Sequence, residues 1–121
     1  MKTPLIINEN EQLIKTLYFT FKNSKDKLMR NEIYSLMLQS EMQLKMAFDP
    51  SLPKNFIKSM ERIRGIWSKL QSMLLIAEML GTCNAAQIEK CLLKIEAVQK
   101  ISFGLLRHIE TRKHSKQESN L

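Results

Sequence analysis

The chain is short of the residues that break helices and of those that build sheets. Its 121 residues include three glycines and three prolines, and two of the prolines, Pro50 and Pro53, sit together. Long stretches therefore run uninterrupted. Eight methionines, many leucines and few valines favour helix over strand. Cys83 and Cys91 form no CxxC pair, which argues against a disulfide framework or a cysteine zinc site and fits a reducing compartment. The longest strongly apolar stretch, Met73 to Leu80, contains Glu78 and is too short to span a bilayer. The apolar run from Leu5 to Ile7 is too short for a signal peptide. A cytoplasmic protein without a membrane partner is the expectation.

Catalytic constellations are missing as well. His108 and His114 are too far apart in helical phase to share a face, and no Glu-x-x-His pair points to a di-iron bundle. Gly65, Gly81 and Gly104 are isolated, so there is no phosphate-binding loop. Cys91 falls on an apolar helical stripe and reads as core filler, and Cys83 has no base beside it in sequence. The expectation is a non-enzyme with no catalytic residue, no metal ligand and no cofactor.

What is present is helical periodicity. Hydrophobic residues make up 44% of the chain, enough for the core of one domain. Residues 1–8 read as an N-terminal arm, 9–113 as the helical body and 114–121 as a flexible polar tail. Leu13, Ile14, Leu17, Tyr18 and Phe21 mark a first helix from about Asn10, with Asn8 as its cap. Ser24 opens a second helix, striped by Met29, Ile33, Leu36, Ser40, Leu44 and Ala47. After the loop from Asp49 to Pro53, Pro53 can start a third. Phe56, Met60, Ile63, Trp67, Leu70, Leu74 and Ala77 then alternate in fours and threes as a heptad seam. Gly81 reads as its C-terminal cap. Asn84, with Gln87 three residues on, opens a fourth helix. Ile88, Cys91, Ile95, Val98, Ser102 and Leu105 continue that alternation to about Arg112. Short loops between such helices predict an all-α, antiparallel up-down-up-down four-helix bundle. Ile63, Trp67, Leu70, Leu74, Ile95, Val98 and Leu105 are the predicted core and oligomer residues. Leu28, Leu38, Met42, Leu92, Phe103 and Leu106 widen the stripes beyond what one bundle needs, which points to a homo-oligomer.

The second signal is charge. Nineteen Lys and Arg against twelve Asp and Glu give a net +7, a balance that attracts polyanions or an acidic partner. Lys54, Lys58 and Arg62 recur every four residues and Lys69 extends the stripe over about 22 Å, with Arg64 to one side. Lys90 with Lys94, and Lys100 with Arg107, supply two further pairs on the fourth helix. No aromatic residue is interleaved, so the expected contact is with nucleic-acid backbone and weakly sequence-specific.

The second half of the chain resembles the Avd family, the accessory variability proteins of diversity-generating retroelements. The resemblance is carried by Leu74-Leu75-Ile76-Ala77-Glu78-Met79-Leu80-Gly81, by Ala86-Gln87-Ile88-Glu89, and by Val98-Gln99-Lys100-Ile101 through Phe103-Gly104-Leu105-Leu106-Arg107. Gly104, Arg107 and Lys100 match the family's glycine and basic positions. Leu105 stands where a tryptophan is usual, Gln99 where a glycine is usual and Leu75 where an arginine often occurs. A weaker likeness extends back through Leu28 to Phe48. The resemblance implies a four-helix bundle assembled as a homopentameric barrel. It also implies a basic surface that binds a reverse transcriptase and nucleic acid, chiefly template RNA, in support of mutagenic cDNA synthesis. The proteins encoded in ribosomal RNA intervening sequences share this architecture and are the alternative family. An adaptor for an acidic protein partner is the alternative function.

Overall fold

The computed structural model describes residues 3–52 and 55–119, with side chains through residue 109. Four helices follow in order: α1, Leu5–Phe21; α2, Lys27–Ala47; α3, Phe56–Leu80; and α4, Ala85–Ser119. Among the described residues there is no strand. Helix α1 packs on α2 and α4, and α3 packs on α2 and α4, while the backbones of the diagonal pairs stay further apart. Consecutive helices joined by short turns thus lie side by side and close an all-α four-helix bundle.

The heptad stripes become the interior. Leu13, Leu17 and Phe21 of α1 meet Ile33, Leu36 and Leu44 of α2, and all are buried. Met60, Ile63, Trp67, Leu70 and Leu74 of α3 and Ile88, Cys91, Ile95 and Val98 of α4 complete the core. Of the predicted core residues, Leu105 alone is half-buried, against the core's edge. Each fully buried large apolar side chain contributes about 1.5–3 kcal/mol through water exclusion.

One polar node crosses this interior. Asn10 is fully buried on α1. Its Oδ1 accepts from the indole N–H of Trp67 on α3 at 3.0 Å. Its Nδ2 donates to Ser40 Oγ at 3.2 Å and to Glu41 Oε2 at 3.3 Å on α2. The Ser40 hydroxyl in turn donates to the Met37 carbonyl at 2.7 Å. Three helices are tied at one level, and each buried polar group gains the partner it needs to offset desolvation.

The helix ends follow local chemistry. Gly81 closes α3 with φ of 66°, a left-handed conformation open to glycine, and its N–H reaches the carbonyls of Ala77 and Glu78. Asn84 Oδ1 accepts from the N–H groups of Ala86 and Gln87 at 2.9 and 3.2 Å and so caps α4.

Four expected boundaries differ. Helix α1 starts at Leu5, directly after Pro4, so residues 5–8 of the expected arm are helical and Asn8 is no cap. The reason is Ile6, which that turn buries in the core. The cap of α2 is Asp26, whose carboxylate accepts from Met29 N–H at 3.0 Å; Ser24 Oγ instead accepts from Asp26 N–H. Pro53 and Lys54 lie outside the described residues, and α3 begins at Phe56 after Asn55. Helix α4 runs through Ser119, so the expected tail is helical over 114–119, where no glycine or proline interrupts good helix formers.

Candidate functional site

The basic side chains do not gather on one surface. Lys58, Arg62 and Lys69 are exposed along α3, and none makes an ion pair with a described residue. At about 100° per residue they share one side of the helix, and Arg64 lies about 200° from Arg62. Arg64 turns toward α4, where its guanidinium lies 5.3 Å from the centroid of the Phe103 ring. Arg107 of α4 lines the same furrow, and Lys100 borders an adjoining hollow on α4. Lys90 turns the other way, into a hollow shared with Thr16, Phe19 and Thr20 of α1, and Lys94 is half-buried. The eight described candidates therefore divide among three faces: outer α3, the α3/α4 furrow, and the α1/α4 side.

A furrow lies between α3 and α4. Two adjoining hollows of about 450 and 250 Å³ run along it, a third of about 370 Å³ lies beside them on α4 alone, and Phe103 lines all three. Gly65, Ser68 and Gln99 border the largest. Ile57, Leu106 and Ile109 give the next an apolar wall. Glu61 and Glu96 place carboxylates among the basic groups. Sequence reasoning treated Arg64 as off to the side and Phe103 as apolar excess. Their phases on antiparallel helices put them opposite one another, a relation visible only once the α3–α4 register is set.

Compared with known protein families and with curated proteins, the chain matches none. The geometry itself must carry any functional reading.

Among the described residues no three His, Cys, Asp or Glu side chains cluster as they would around a metal ion. Nor, among the described residues, is any helix long and apolar enough to cross a membrane. The Cys91 thiol is buried, and desolvation raises its pKa, partly offset by the Thr20 hydroxyl at 3.3 Å. That environment suits packing, not nucleophilic attack. Cys83 is half-buried within the α3–α4 connection. His108 is exposed on α4.

Apolar side chains also reach the surface. Leu28, Met79 and Leu38 are 84%, 78% and 68% exposed. Phe19 and Tyr18 form an edge-to-face pair, and Tyr18 stacks on Tyr34 across α1 and α2. Burial and the neighbouring Tyr18 raise the Tyr34 pKa, while Arg30 pulls it down. Such exposed apolar area on a small bundle is the kind that assembly or partner binding covers.

Proposed function

We propose that the chain is a non-catalytic accessory subunit that binds nucleic acid, chiefly RNA, and a reverse transcriptase, working as a homo-oligomer in the cytoplasm. The resemblance to Avd proteins supplies the reverse transcriptase, the mutagenic cDNA synthesis and the pentameric ring. The observation that carries the reading is the row of exposed, unpaired cations Lys58, Arg62 and Lys69 on a rigid helix. A fixed row of cations beside exposed apolar area suits backbone contact by a surface repeated around an assembly. DNA would be bound by the same chemistry, because phosphate contacts carry no base information.

The test is RNA affinity measured across a salt series for the intact chain. Counterion release predicts that log affinity falls linearly with log salt. Reversing Lys58, Arg62 and Lys69 to glutamate should reduce that slope by roughly two to three units, since each lost phosphate contact removes about 0.7–0.9. Affinity unchanged from low to high salt would sink the reading. A monomer by light scattering would remove its oligomeric part.

A further inference from the structure

Gly65 has no evident role within its own chain. It lies in the middle of α3, where glycine weakens a helix relative to alanine. A Cβ built there would meet nothing within 4 Å. Its φ is not positive, so no special backbone conformation requires it. Internal packing thus leaves a costly residue unexplained. Its one notable surrounding is the furrow with α4, which it borders. A residue without a side chain there lets a ligand come close to the helix backbone.

The walls say what kind of ligand. Arg64 is exposed, is held over the Phe103 ring, and makes no ion pair or hydrogen bond with a described residue. The contact with the ring positions the guanidinium and leaves N–H groups to grip an oxyanion. Beside it, Ile57 and Leu106 offer an apolar seat. A polyphosphate strand fits poorly. It carries a charge at every nucleotide, some of which would have to face Glu61, whereas a helix can set one or two carboxylates at Arg64 and keep neutral residues against Glu61. A peptide that presents an apolar anchor and one or two carboxylates satisfies both kinds of wall. The trough between two packed helices also matches the shape that receives an amphipathic helix.

We propose that the α3/α4 furrow centred on Arg64, Phe103 and Gly65 is a docking site for an acidic amphipathic helix of a partner protein. The carboxylate pairs with Arg64, the anchor packs on Phe103 and Leu106, and the partner helix passes close over Gly65. This inference does not depend on the retroelement reading.

The experiment uses the intact chain and a displayed library of random peptides of roughly 18 residues, five helical turns. Enriched peptides should combine Asp or Glu with aliphatic residues at helical spacing. Arg64→Glu and Phe103→Ala should each weaken their binding at least about tenfold, and replacing the peptide's acids with lysine should restore binding to Arg64→Glu. Gly65→Ala should raise the melting temperature of the free chain while weakening the same peptides, a pair of opposite signs that a purely structural glycine would not give. Amide chemical shifts of Gly65, Gln99 and Phe103 should move on peptide addition. Enriched peptides indifferent to Arg64→Glu, or shifts confined to other faces, would overturn the proposal. So would single-stranded RNA moving these amides when the peptides do not, or Phe103→Ala dissociating an oligomer, which would make the furrow a subunit interface.

Discussion

Helix α3 shows two surfaces of opposite character. Its inner side carries Met60, Ile63, Trp67, Leu70 and Leu74, all fully buried, with the Trp67 indole bonded to Asn10. Its side toward the α4 furrow carries Glu61, Arg64, Gly65 and Ser68, all exposed. The inner side is over-determined: volume, hydrophobicity and a hydrogen bond all agree on one arrangement. The furrow side is under-determined by the chain's own contacts, with an unpaired cation and a glycine that packs against nothing.

Substitutions can break or sharpen that contrast. Trp67→Ala should have the largest effect, about 3–5 kcal/mol of lost stability, because it opens a cavity and orphans Asn10. Chemical denaturation would measure it, and a loss below about 1 kcal/mol would mean the interior repacks freely. Asn10→Ala should follow at about 1–3 kcal/mol, by leaving the Trp67 N–H without its acceptor. Gly81→Ala should cost about 1 kcal/mol, since alanine is strained at a φ of 66°. Gly65→Ala should act in the opposite direction, stabilising by about 0.5–1 kcal/mol. The two glycines thus offer a direct comparison: one is required by the chain's own geometry and the other is not. Equal losses at both would erase the distinction drawn between the two sides of α3.

The smallest effect concerns pH. Burial raises the Cys91 pKa above its ordinary value of 9.0, so the folded state holds that proton more tightly than the unfolded chain. Its contribution to stability is full below the unfolded pKa and is lost as pH rises through the folded one. Melting temperature should therefore decline more steeply above pH 9 in the wild type than in Cys91→Ala, although that variant starts lower. At neutral pH a thiol reagent should label the half-buried Cys83 well before the buried Cys91. Faster labelling at Cys91 would mean that α4 opens readily from α1.

Much of the bundle was legible in the residues. The alternation from Phe56 to Ala77 and from Ile88 to Ser102 named the core positions, because apolar side chains repeated at helical spacing must share a face. Gly81 and Asn84 marked the turn between α3 and α4 through chemistry confined to a few neighbouring residues. Asn10 was missed, although Ile6, Asn10, Leu13, Leu17 and Phe21 form one stripe once Pro4 is taken as the point where the helix begins. Taking Asn8 as the cap removed Ile6 from that stripe, and Asn10 then marked only the approximate start of the helix. The candidate basic residues were legible as types but not as a site.

Sequence by itself determined the helical class, the core faces and the surplus of positive charge. These depend on composition and on spacing along one helix. Only the tertiary structure decided that Asn10 meets Trp67 and Ser40, that Arg64 lies over Phe103, and that the cations divide among three faces. Such relations depend on how far one helix is rotated and shifted against the next. That register is fixed by the packing of the whole interior, and no local stretch of sequence encodes it.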